Sequence, residues 1–275
     1  MVISIVSVLM GILMPALSGV RRQATALTGM RNQREVAMAV NLFAADNGDL
    51  YPPSVATLGV ANDWHWYDPT QLIGKKQRSP QLHRAMSAYL HDYIPDARTV
   101  FCPAAPQQYK YLQQSWDAGD DWDNPDNDLT SDPVDGTYCF FWNYTGYLGG
   151  PRELFQGPRG PASGGLVSQL LVSDYFGYGH WRTPDSFASC ERLPGGDILE
   201  EQWLESAWWR KAGADPNTAR PQVKLRAAYT DGHVETYYPN DLSAMRVSAR
   251  PEGKPLSADG GGSRGIFYIP RNAVR

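Results

Sequence analysis

The first twenty residues, MVISIVSVLMGILMPALSGV, contain no charged side chain, and Arg21-Arg22 end the run. As a helix, 20 residues span roughly 30 Å, about the hydrocarbon thickness of a bilayer. Three structures could absorb such a segment. A cleaved signal peptide carries a basic stretch ahead of its apolar run, and this run has none ahead of it. A buried core helix is normally shorter or shows a polar stripe. A membrane helix accommodates both the length and Pro15, because a missing backbone donor and the resulting kink are better tolerated in lipid than in water. The membrane helix is the favoured expectation, with Val2, Ile5, Leu9, Ile12, Leu13, Pro15 and Leu17 as its lipid- and helix-facing positions.

The helical pattern continues past Arg22. From Gln23 to Asn47 there is no Pro, and Gly29 is the only Gly. Leu27, Met30, Ala37, Val40 and Ala44 recur at three- and four-residue steps or their sums, with polar residues between, which predicts an amphipathic helix. Asn47-Gly48 and then Tyr51-Pro52-Pro53 supply the stop. The expectation is one helix of about 45 residues, apolar all round over 1–22 and amphipathic over 23–47, followed by a head over 48–275.

The chain reads as an α+β fold: the long N-terminal helix packed on a small antiparallel sheet of the head, with long loop insertions. The chain's 26 Gly and 21 Pro favour irregular loops over a helical bundle, and 12% aromatic residues argue against disorder. Short strands are expected at 99–102, 137–142, 166–173 and 265–269, and a short helix at about 199–211. The strongest local signal is Val223 to Thr230, Asp231-Gly232, then His233 to Tyr238, read as a hairpin with both turn positions at positive φ. A net charge of −4, with no long basic run, gives no drive toward nucleic acid.

The two-part N-terminal helix resembles that of a type IV pilin or type II secretion pseudopilin. The residues carrying the resemblance are VISIVSVLMGILMPALS, Arg21-Arg22-Gln23-Ala24, Asn41 to Gly48 and Tyr51-Pro52. The pattern is similar to pseudopilin-like proteins of planctomycete-type bacteria. Tyr229-Thr230-Asp231-Gly232-His233-Val234-Glu235 resembles the signature of the prepilin-associated group named for an H-X9-DG motif, although its His would fall at Pro221. Cys102-Pro103, Tyr138 to Gly150 and Leu170 to Asp174 match further landmarks. The family carries a basic leader, a cleavage site and a Phe-Thr-Leu-x-Glu stretch ahead of this segment. Met1 stands where the family has an apolar residue inside the helix, so the expectation is a start codon called too late, with true truncation as the alternative.

The resemblance implies a non-catalytic fibre subunit, single-pass in the inner membrane, with a periplasmic or extracellular head. Its implied partners are other pilin or pseudopilin subunits, met through the N-terminal helix. Arg21 and Arg22 alone would place the head inside the cell; the family places it outside. The alternative is a pilin-anchored display protein whose head binds glycans or a secreted protein.

Several constellations bear on chemistry. Asp117 to Gly136 holds eight Asp, and Asp120, Asp121, Asp123, Asp126 and Asp128 are a candidate Ca²⁺ site, since hard oxygen ligands at short spacing suit that ion. The EF-hand pattern fails, and a solvated loop with Asx turns is the bland alternative. Some pseudopilins hold Ca²⁺ in a head loop. His180, His233, Asp174 and Asp231 could surround a metal, though without diagnostic spacing. Cys102 and Cys139 could form a disulfide outside the cytoplasm, leaving Cys190 single; buried thiols are the alternative. Trp64, Trp66, Trp116 and Trp122 could stack on sugars, or pin loops to the core. No nucleophile elbow, P-loop or dinucleotide fingerprint occurs, and Gly157-Pro-Arg-Gly160 reads as loop glycine.

Overall fold

An α-helix, α1 (Val2–Asp46), runs from the N-terminus and carries Pro15 within it. The computed structural model describes residues 2–60, 63–66, 68–74, 82–105, 109–128, 133–148, 154–164, 167–175, 177–178, 191–192, 223–246 and 266–273. The helix ends where the sequence predicts. Gly48 and Asp49 take positive φ (66° and 61°), and the amides of Asn47 and Asp49 both return to the Ala44 carbonyl, at 3.0 and 2.8 Å.

The described fold is α+β. A central antiparallel sheet contains β5 (Tyr138–Phe140), β8 (Leu170–Asp174), β10 (Glu191–Arg192), β11 (Val223–Tyr229) and β12 (Val234–Tyr237). Its path runs β10-β11-β8-β5, with β12 also paired to β11. A second antiparallel sheet has the order β7-β6-β13-β14-β9, from Leu154–Gln156, Thr145–Leu148, Leu242–Arg246, Ile266–Pro270 and Gly177–Tyr178. Two smaller pairs join β1 (Thr57–Val60) to β2 (Asp63–Trp66), and β3 (Gln71–Ile73) to β4 (Val134–Asp135).

Side-chain alternation along β5 divides the core in two. Tyr138, Phe140 and Trp142 face a cluster with Val36, Ala37, Val40 and Ala44 of α1. Cys139 and Phe141 face the opposite cluster, shared with Phe155, Met245 and Phe267 of the second sheet. The layers are therefore helix, central sheet, second sheet. Short elements α2 (Ser87–Leu90) and α3 (Leu112–Ala118) pack on the helix side.

The docked stripe of α1 differs from the sequence expectation. Its buried positions are Gly29, Gln33, Val36, Ala37, Val40 and Ala44, within about 100° of arc at 100° per residue, with Ala39 about 60° beyond one edge. Leu27 lies on the far side and is exposed, and Met30 is half-buried. The stripe admits Gln33 because the sheet offers it a buried partner. The strand expected at 99–102 is instead a 3-10 turn, Ala97–Val100, begun by Asp96, whose carboxylate accepts the Arg98 amide at 3.0 Å. The Arg98 guanidinium, hydrogen-bonded to the same carboxylate, lowers its pKa. The helix expected at 199–211 lies outside the described residues.

The β11–β12 hairpin forms, with Ala228 opposite Val234. Its turn is not the form with two positive φ angles. Among the described residues of the turn only Gly232 has positive φ, 82°. The Gly232 amide donates to Tyr229 O at 2.9 Å and the Tyr229 amide to His233 O at 3.1 Å. This is a three-residue loop with Gly in the left-handed position, a common hairpin alternative. Gly232→Ala should cost about 1–2 kcal/mol through that backbone conformation, read as a lower urea midpoint with unchanged slope.

Candidate assembly surface

The two halves of α1 do different things. From Gly29 onward the helix is held to the head by specific polar contacts. Tyr138 Oη donates to the Gly29 carbonyl at 3.2 Å, and burial raises the Tyr138 pKa well above its ordinary value, so it stays a donor. Asn32 Nδ2 donates to the carbonyls of Arg98 and Phe101, each at 3.2 Å. Asn41 Nδ2 donates to Thr230 O at 2.9 Å, and Asn41 Oδ1 accepts from Tyr51 Oη at 2.6 Å. These contacts fix the helix register against β5, the 97–101 turn and the hairpin.

The centre of this attachment is buried and charged. Gln33 Nε2 donates to Asp174 Oδ1 at 2.7 Å, and the Arg226 amide donates to Asp174 Oδ2 at 3.1 Å. The Arg226 guanidinium lies 3.9 Å from the same oxygen, and the two side chains are 2% and 0% exposed. Helix α1, β8 and β11 thus meet at one carboxylate. Sequence reading missed this site. The available signal was Gln33 itself, a polar residue four positions from Gly29 and from Ala37 on the docked stripe.

Before Gly29 the helix projects. Met10, Leu13, Met14, Leu17 and Val20 are exposed apolar side chains, with Leu13 at 63% and Leu17 at 71%. Pro15 is exposed, and Ser18 Oγ donates to its carbonyl at 2.8 Å. Val2, Ile5, Leu9 and Ile12 lie on α1, but their side chains are outside those described. Among the described residues, no helix is long and apolar enough to cross a membrane. The outward face stays apolar at Leu27 and, past Gly29, at Met38 and Leu42, which are also exposed. From Met10 to Arg22 the helix spans about 18 Å.

The other predicted sites resolve as follows. The acidic carboxylates turn to separate partners. Asp120 accepts the Ala85 amide at 2.7 Å and meets His83 Nδ1 at 2.6 Å; Asp126 accepts Tyr111 Oη at 2.7 Å; Asp117 accepts Gln113 Nε2 at 2.8 Å. Asp121, Asp123 and Asp128 are exposed. Among the described residues no three His, Cys, Asp or Glu side chains converge on a metal-sized point. Asp174 is engaged by Gln33 and Arg226, Asp231 bonds to His233, and His180 is outside the described residues. Trp116 and Trp122 are not sugar platforms: both are buried, and Trp116 Nε1 donates to Ile94 O at 2.8 Å. The side chains of Trp64 and Trp66 are outside those described.

The Cys102–Cys139 disulfide, one of the two alternatives for these residues, does not form. Cys102 is disulfide-bonded, while Cys139 keeps a buried thiol. The reason lies in the pleat: Cys139 points into the cluster facing the second sheet, and Cys102 lies in the helix-side cluster. The third cysteine of the chain is Cys190, which lies outside the described residues. Thiol titration in denaturant without reductant should count one thiol per chain, rising to three after reduction.

The chain matches no protein-family model, no curated protein and no solved structure.

Proposed function

We propose that this chain is a pseudopilin-like structural subunit of a type II secretion or type IV pilus-like fibre. Residues 1–22 anchor it in the inner membrane, and the head stands outside the cytoplasm. Subunits associate through the projecting half of α1, and the protein's role is assembly rather than chemistry. One observation carries this reading: a single helix is locked to the head over its second half, while Met10, Leu13, Met14, Leu17 and Val20 of its first half are exposed and apolar. Isolated helices gain little stability from propensity alone, so a projecting apolar half requires a second surface, either lipid or another helix. Pro15 fits the same picture, because a lipid-embedded helix tolerates its lost hydrogen bond.

The test uses the full chain in membranes, with single cysteines introduced at Leu13 or Leu27 and a short bismaleimide. The expected result is a ladder of cross-linked oligomers from both positions. Only monomer at both positions, with the full chain retaining binding to a polysaccharide or secreted protein, would overturn the fibre reading in favour of anchored display.

A further inference from the structure

We propose that the junction of α1 between its apolar half and its docked half, Arg21-Arg22, selects anionic phospholipid headgroups on the head side of the bilayer. The proposal rests on the membrane reading above. Charge distribution points to it. The first 34 residues contain Arg21, Arg22, Arg31 and Arg34 and no Asp or Glu, which leaves 21 Lys+Arg against 29 Asp+Glu, a net −8, on the rest of the chain. Residues 1–34 are thus net positive and the rest of the chain net acidic, so the surface that attracts Arg21 and Arg22 repels the rest.

Geometry narrows the contact to two residues. All four arginines are exposed. Side chains on a helix lean toward its N-terminus, and Arg22 does so, with Nε donating to the Ser18 carbonyl at 3.4 Å. Its guanidinium therefore sits level with the last apolar turn, at the depth of the headgroups rather than above them. Arg31 and Arg34 lie about 14–18 Å further along the axis. That exceeds the screening length of about 8–10 Å at physiological salt. Arg31 is moreover paired with Glu35 at 2.7 Å. Arg21 and Arg22 act on the surface; Arg31 and Arg34 do not.

The experiment dilutes the full chain from detergent into preformed vesicles of phosphatidylcholine alone, or with 30 mol% phosphatidylglycerol, and measures co-flotation against lipid concentration. Each arginine at an anionic surface strengthens binding about five-fold. The wild type should bind the anionic vesicles roughly twenty-fold more tightly at physiological salt, and the preference should shrink as salt is raised further. Arg21→Gln with Arg22→Gln should abolish the preference while leaving binding to phosphatidylcholine, and Arg34→Gln should change neither. Equal binding to both vesicles, or a preference surviving the double substitution, overturns the headgroup proposal and leaves the anchor standing. Binding to neither vesicle overturns the anchor reading and the headgroup proposal with it.

Discussion

Asp174→Ala should destabilise the protein by about 3–5 kcal/mol, because it strips a counter-charge from a buried guanidinium. For a chain of this size that is a fall in Tm of roughly 10 °C. Asp174 is fully buried, receives two hydrogen bonds from Gln33 and the Arg226 amide, and faces the Arg226 guanidinium. Attraction between buried charges offsets their desolvation only while both are present, so removal of one is worse than removal of both. The pair Asp174→Leu with Arg226→Met should therefore recover part of the loss. The readouts are differential scanning calorimetry on Asp174→Ala and on the cycle formed by Asp174→Leu, Arg226→Met and the pair. A fall of less than about 2 °C in the single variant would show that this carboxylate does not hold α1 to the sheet.

Gly157→Ala should be nearly as damaging, for a steric reason. A Cβ at this position would lie 1.6 Å from the Phe141 carbonyl oxygen and 2.7 Å from its carbon. Both are backbone atoms, so no side-chain rotation relieves the clash. The 141–144 turn and the 157–160 loop are laced together here. Asn143 N donates to Pro158 O and Gly157 N to Tyr144 O, both at 2.9 Å, and Asn143 Nδ2 donates to the carbonyls of Tyr51 and Pro52 at 3.0 and 2.9 Å. Opening that contact also disturbs the segment that follows α1. The expected cost is about 3 kcal/mol or more, at the top of the overpacking range. Gly19→Ala is the control: nothing lies within 4 Å of its Cβ, so a helix-propensity gain of up to about 1 kcal/mol is expected there. Chemical denaturation distinguishes the two, and equal midpoints would refute the close approach.

Local sequence determined the elements whose physics is local. Twenty uncharged residues, the absence of Pro from 23 to 47, and Asn47-Gly48 specify a long helix and its end, because propensity and capping act within a few residues. Asp231-Gly232 marked the hairpin, although the turn took the three-residue form with one positive φ. The resemblance to pilins was drawn from those same local features.

Tertiary structure decided the rest. Which arc of α1 docks was set by what the sheet presents. Gln33 is buried and Leu27 exposed because Asp174 and Arg226, more than 140 positions away in the chain, supply the partners that a polar side chain needs on burial. Cys102 and Cys139 do not pair because they lie in core clusters on opposite faces of the central sheet, a matter of pleat and not of spacing. Asp120 and Asp126 found separate partners because Ala85, beside α2, and Tyr111, at the start of α3, stand next to them. Gly157, read in sequence as loop glycine, is required by a backbone 16 positions earlier that only the folded chain brings to it.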